Sequence, residues 1–254
     1  MRRAERIAAV LDQIATSGSI SVNDLATEHG VSRATMRRDL QLLEDQRLLS
    51  RTHGGAVADT EAYELPLRYR DSQHRDAKRL IAREAIRRMP DGGAVVGLTG
   101  GTTTTEVARM MSDRTGLTVV TNAINIGALL AVRPRLKLIM TGGVARTQSY
   151  ELVGPLAEAT LGGLNIEIAF VGVDGVDAAG GLTTHDEIEA HTDAALLRQS
   201  RRVIVVADGS KVGRIRLARI AAASAVDELI TDDTADPVAL RELEDAGMVV
   251  TVVG

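Results

Sequence analysis

The chain has 254 residues, 44% hydrophobic, 25% charged and 2% aromatic, with 24 Gly and 5 Pro; this composition excludes wholesale disorder, a collagen repeat and a coiled coil, and its length suits one or two domains. No cysteine is present, so disulfides, thiolate zinc sites, iron–sulfur clusters and cysteine nucleophiles are excluded. The net charge is −4, and residues 1–57 hold 8 Lys+Arg against 7 Asp+Glu, so a nucleic acid would have to be gripped by a local basic face.

Arg2, Arg3 and Arg6 precede a short apolar run, Ala8–Leu11, that stops at Asp12. This does not read as a secretory signal. No apolar stretch approaches the ~18–20 residues of a membrane helix, and a cytoplasmic protein is expected.

Ile7, Val10, Leu11 and Ile14 recur at the spacing of a helical stripe. Ser21 and Asp24 resemble a capping box leading into a second helix to His29, and Gly30 supplies a turn. Ser32 then caps a third helix, Arg33 to about Gln46, with Met36, Leu40 and Leu43 inward. Two short strands around His53-Gly54-Gly55 follow. The polar stretch 58–74 reads as a linker, and Asp76–Met89 is helical again, ended by Pro90-Asp91-Gly92-Gly93.

From there short apolar runs alternate with helical patterns: Ala94–Leu98, Leu117–Thr121, Lys137–Thr141, Ile168–Val173, Val203–Ala207, Glu228–Thr231 and Met248–Val253. Near-continuous apolar runs are what strands buried on both faces show, so a largely parallel α/β sheet is expected.

Three constellations carry chemistry. The helix–helix–turn–helix head with its hairpin has the plan of a winged helix-turn-helix. On its third helix Ser32, Arg33, Thr35, Arg37 and Arg38 lie on or beside the exposed stripe, and Arg51 and His53 sit on the wing. Arginine reads guanine edges or clamps phosphates, so these seven residues are candidate DNA contacts.

The second constellation is a series of strand ends: Gly101, Thr102, Thr103 and Thr104; Thr121 and Asn122; Gly142 and Gly143; Asp174; Asp208 and Lys211. In an open α/β sheet such loops converge on one edge, where small ligands bind. Glycines, hydroxyls, two acids and one Lys fit a polyol phosphate. Thr103 and Glu106 also have the spacing of a plain capping box.

The third is His185-Asp186-Glu187-Ile188-Glu189-Ala190-His191, whose i, i+4 pairs tempt a metal reading. It lacks the HExxH pattern and reads as a helix surface, so no metal is expected. No cofactor is called for either.

Val31-Ser32-x-x-Thr35-Met36-Arg37-Arg38-Asp39-Leu40 with Arg51-x-His53-Gly54-Gly55-Ala56, and further on Gly101-Thr102-Thr103, Val120-Thr121-Asn122, Gly142-Gly143 and Asp208-x-Ser210-Lys211-x-Gly213, resemble the DeoR-type bacterial transcription regulators over nearly the whole chain. The resemblance implies an N-terminal winged helix-turn-helix over 1–57, a linker over 58–74, and an α/β effector-sensing domain over 75–254 similar in fold to ribose-5-phosphate isomerase. It implies a repressor of sugar-catabolic genes relieved by a phosphorylated sugar, with operator DNA and the sugar as partners. One recognition helix per chain makes a homo-oligomer, dimer or tetramer, the expected DNA-binding form. The competing readings are a sugar-phosphate isomerase-like enzyme and a DNA-binding scaffold without ligand. Two positions depart from the family pattern: Thr99 and Gly100 precede Gly101 where an Asp is usual, and Asp193 stands where a Lys is usual.

Overall fold

The computed structural model describes residues 3–46, 48–58, 65–71, 73–90 and 92–254. The chain divides into two compact units, 1–73 and 74–254.

The first unit begins with α1 (Arg3–Ser17), β1 (Ser19–Ser21), α2 (Val22–Glu28) and α3 (Arg33–Asp45). β2 (Leu49–Thr52), β3 (Gly55–Ala58) and α4 (Leu67–Arg70) complete it. The predicted stripe of α1 is buried, as are Met36, Leu40 and Leu43 of α3, each at 0% exposure. Ser21 caps α2 through the Asn23 N–H, and Ser32 caps α3 through the Thr35 N–H. Two features differ from the sequence reading. β1 adds a third strand to the predicted pair, with Ile20 opposite Ala56. Within the stretch read as linker, α4 buries Leu67 and Tyr69, and Tyr69 joins the core of the head. An apolar pair two residues apart is too short a signal to mark a helix. Residues 59–64 of that linker lie outside the described residues.

The second unit starts with α5 (Arg75–Arg87), β4 (Val95–Leu98), α6 (Thr102–Met111), β5 (Thr118–Thr121), α7 (Ile124–Leu130) and β6 (Lys137–Met140). Next come β7 (Val144–Arg146), β8 (Glu151–Val153), α8 (Pro155–Gly162), β9 (Ile168–Val171), β10 (Gly175–Asp177) and β11 (Gly181–Thr184). α9 (Glu187–Arg198), β12 (Val203–Val206), β13 (Ala218–Ala221), β14 (Glu228–Asp232), α10 (Pro237–Asp245) and β15 (Val249–Val253) close the chain.

Seven strands form one sheet in the order β15-β14-β12-β9-β4-β5-β6, and every pairing in it is parallel. They are the seven apolar runs of the sequence. Two cores explain the continuous apolarity. Ile168 and Phe170 face a core with α5, α6 and α7, while Ala169 and Val171 face another with α8, α9 and α10. Truncating Phe170, 0% exposed, to Ala would cost about 3–5 kcal/mol. A β7–β8 hairpin and a three-stranded antiparallel sheet, β10-β11-β13, stand apart from the main sheet. All seven carboxyl ends point the same way, so the loops that follow them share one edge.

Candidate functional site

In the head, Arg33, Arg37 and Arg38 of α3 are exposed, as are Ser32 and His53, and Thr35 is half-buried. The helix presents its charges outward because its other face is locked into the core. Asp39, next to Arg38, is 1% exposed and takes Arg3 at 2.9 Å and Arg6 at 2.7 Å. It bonds α3 to α1. The sequence gives no local sign of this pair, since its partners lie 33 and 36 residues away. Arg51 is also engaged: its backbone N–H donates to Glu44 at 3.1 Å, and its guanidinium reaches Gln41 and Glu44. Arg51 therefore ties the wing to α3.

At the carboxyl edge of the sheet lies a buried polar group. Glu151 begins β8, directly after Tyr150, whose φ of +60° is left-handed. A non-glycine residue held there costs roughly 1–3 kcal/mol and persists only where surroundings enforce it. Here the Tyr150 N–H and C=O bond Arg146 and Ile124 at 2.8 Å each, which turns Glu151 inward. The Gly100 N–H donates to Glu151 Oε1 at 2.6 Å. A Cβ on Gly100 would sit 2.4 Å from the Glu151 carboxyl carbon, so a larger residue at position 100 would displace that carboxyl group.

Asn122, following β5, donates from Nδ2 to Glu151 Oε1 at 3.2 Å and to Asp193 Oδ1 at 3.4 Å. Glu189 and Asp193 are one turn apart on the inner face of α9, and oxygens of Glu151, Glu189 and Asp193 lie within 4.8 Å of one another. Glu189 accepts from Thr184 and pairs with Arg146 at 3.1 Å. Arg146 divides itself between Glu189 and Asp186, also at 3.1 Å. Asp174 accepts from Thr184 at 3.2 Å and meets His185 Nδ1 at 2.8 Å.

The electrostatics follow from burial and charge count. Burial, then Asp193 and Glu189, push the Glu151 carboxyl well above its ordinary range. Burial, then Glu189, does the same to Asp193. Asp186 behaves oppositely: burial opposes its charge, but the Glu189 N–H and Arg146 prevail and lower its pKa.

The description "DeoR-like helix-turn-helix domain" matches residues 6–62, and "DeoR C terminal sensor domain" matches 73–233. The chain belongs to the DeoR family. It is similar to the HTH-type transcriptional regulator GlpR of Haloferax volcanii, 36% identical over 251 residues and 98% of each chain. It is also similar to the glycerol-3-phosphate regulon repressor of Escherichia coli K12, 29% identical over 232 residues, covering 91% of this chain and 92% of that one. Among solved structures, ribose 5-phosphate isomerase A from Methanocaldococcus jannaschii shares 20% identity over 55% of each chain with a TM-score of 0.41. The full-length sorbitol operon regulator SorC from Klebsiella pneumoniae shares 14% over 93% of this chain and 98% of that one, with a TM-score of 0.42. As a DeoR-family protein the chain is a DNA-binding transcriptional regulator rather than the isomerase-like enzyme weighed as the alternative.

Within this DeoR sensor the predicted effector residues fall into several places. Gly101, at φ +126°, is the N-cap of α6, and Thr102–Thr104 form its first turn. The capping box read at Thr103 and Glu106 is not formed: the helix starts two residues earlier, without a side-chain cap, and Glu106 pairs with Arg109 at 3.2 Å. The hydroxyls of Thr104 and Thr105 return to the Gly101 carbonyl at 3.0 and 2.6 Å. Thr121 is buried and accepts from the Ala123 N–H at 3.1 Å. Gly142 and Gly143 make the turn into β7. Asp208 caps the short turn Gly209–Lys211; burial opposes its charge, but the Ser210 bond and the charge of Lys211 prevail and lower its pKa.

Asn122 and Asp174 thus join the acidic group directly, whereas Asp208 and Lys211 sit together in the short turn 208–211. The metal-like reading of 185–191 also changes. His185 precedes α9 and bonds Asp174, Glu187 and His191 are exposed, and Glu189 alone of the four joins the acids. Glu151 was missed altogether. A cleft of about 390 Å³ lined by Asn165, Glu167, Arg198 and Arg201 lies at the amino ends of β9 and β12, on the opposite edge of the sheet. Among the described residues no helix is long and apolar enough to cross a membrane.

Proposed function

We propose that this regulator is a cytoplasmic repressor of carbohydrate-metabolism genes, released from its operator by a phosphorylated sugar. The observation that carries the DNA half is α3: Met36, Leu40 and Leu43 are wholly buried while Arg33, Arg37 and Arg38 are exposed. The helix therefore presents donors of fixed orientation to a major groove, and His53 at the wing tip is placed for the backbone. The effector half is supported by the uncapped start of α6 behind Gly101, where N–H groups suit an anion, and by the names of the relatives, one a glycerol-3-phosphate regulon repressor. Thr102–Thr104 would take the phosphate with Lys211 as cation. Thr121, Asn122, Gly142, Gly143, Asp174 and Asp208 would line the sugar. The division at 73/74 supports a head over 1–57, a connector over 58–74 and a sensor over 75–254. Paired half-sites bound by a homodimer or tetramer complete the reading.

The experiment is an operator titration with and without sugar phosphates. Arg37→Ala is expected to weaken specific binding by roughly 1–3 kcal/mol with helicity unchanged. Lys211→Ala is expected to keep operator binding and blunt release by the effector. An Arg37→Ala chain that binds as wild type sinks the DNA assignment, and a Lys211→Ala chain that responds as wild type sinks that of the anion site.

A further inference from the structure

Glu151, Glu189 and Asp193 are 2%, 5% and 3% exposed, and carboxylate oxygens of the three lie within 4.8 Å of one another. Two carboxyl groups in that relation need a proton or a cation between them. A third stands beside them, and the one arginine reaching the group among the described interactions is shared with Asp186.

A second observation points outward from the protein. Asn122 is 1% exposed, its amide nitrogen reaches both Glu151 and Asp193, and its amide oxygen is buried with no partner among the described residues. An orphaned buried oxygen is costly. Turning the amide over would aim that oxygen at the carboxylates, which is favourable only if a proton or a cation lies among them.

We propose that Glu151, Glu189 and Asp193, with the Asn122 side-chain oxygen as fourth donor, bind one divalent metal ion. The donors are all oxygens, which selects magnesium, manganese or calcium over metals that prefer nitrogen or sulfur. The spacing agrees: an ion bonded at roughly 2.0–2.6 Å keeps its ligands within about 5.2 Å of each other, and the carboxylate oxygens lie within 4.8 Å. The Gly100 N–H and Thr184 hydroxyl orient Glu151 and Glu189, as outer-shell donors do at metal sites. The ion sits at the sheet edge that also carries the effector loops, yet its binding requires neither DNA nor sugar.

The test uses the full chain, stripped with a chelator, and manganese alone as the probe, followed by electron paramagnetic resonance and calorimetry. One ion per chain is expected, displaced by calcium or magnesium, with a rise in melting temperature by mass action. Asp193→Asn and Glu151→Gln, which keep side-chain size, should each weaken binding by about tenfold or more. Glu187→Gln, on the exposed face of the same helix, should leave it unchanged. Absence of binding and of a melting shift at millimolar manganese overturns the proposal. So does binding that survives both Asp193→Asn and Glu151→Gln. If either variant does not fold, the wild-type shift decides. Because no operator or sugar enters, failure here leaves the regulator reading standing, and the reverse holds too.

Discussion

Two of the sensor's buried acidic groups lie at opposite ends of the same parallel sheet. Glu228 opens β14 at the amino end and is 3% exposed. Arg88 and Arg202 meet it at 2.8 and 2.9 Å, and Thr251 donates at 2.8 Å. Burial works against its charge, yet these partners hold its pKa below the ordinary range. At the carboxyl end Glu151, Glu189 and Asp193 share part of one arginine, and two of the three have pKa values pushed up. The first group is neutralised by the fold itself. The second holds more carboxyl groups than the fold supplies cations for, and that imbalance separates it from a structural ion pair.

The largest way to break the contrast is to unmatch the matched end. Arg88→Ala leaves Glu228 buried with only half-exposed Arg202, and should cost about 3 kcal/mol in urea unfolding at neutral pH. Because the folded pKa of Glu228 is depressed, its contribution is full above the unfolded value of about 4.3 and is lost as pH falls through the folded value. The gap between wild type and Arg88→Ala should therefore narrow below about pH 4. A gap that is constant with pH would remove the electrostatic account.

The opposite change sharpens the contrast. Asp193→Asn, measured with chelator present, should stabilise the chain by about 1 kcal/mol at mildly alkaline pH, or roughly 2–4 °C in melting temperature. The sign follows from the raised pKa values of Glu151 and Asp193. Their protonated forms favour the folded state, so stability is present below the unfolded pKa and is lost as pH rises through the folded ones. The gain from Asp193→Asn should grow with pH across that range, and a loss at every pH would show Asp193 to be a fully partnered anion. The smallest effect belongs to Glu187→Gln, on the exposed face of α9, which should stay within about 0.5 kcal/mol.

The same contrast shows which parts of the molecule are legible in the sequence. All seven strands of the main sheet are apolar runs flanked by turns, because helices cover both faces, and the expected ends agree within one or two residues. The β7–β8 hairpin and the β10-β11-β13 sheet are not legible. Their strands run three or four residues, and Val144–Arg146 or Gly175–Asp177 lacks both alternation and apolar continuity. Asn122 and Asp174 could be named as site residues because they end strands. Glu151 could not, since its burial depends on a left-handed Tyr150 and on Gly100, 51 residues earlier. Glu189 and Asp193 show the right spacing, but spacing does not tell which face of α9 turns inward. On α3 the apolar stripe does tell, and so Arg33, Arg37 and Arg38 are placed outward from sequence alone.

Tyr150 has a consequence of another kind. The chain contains no Trp and 3 Tyr, so its near-ultraviolet emission is tyrosine emission, with no indole to drain it. Tyr69 is packed in the core of the head, and Tyr150 adjoins Glu151 in the sensor; the third, Tyr63, lies outside the described residues. Replacing Tyr63 and Tyr69 by Phe leaves Tyr150, next in sequence to Glu151, as the one emitting residue. The residue whose backbone turn precedes Glu151 thus becomes the emitter of the sensor, which can be watched without attaching a dye.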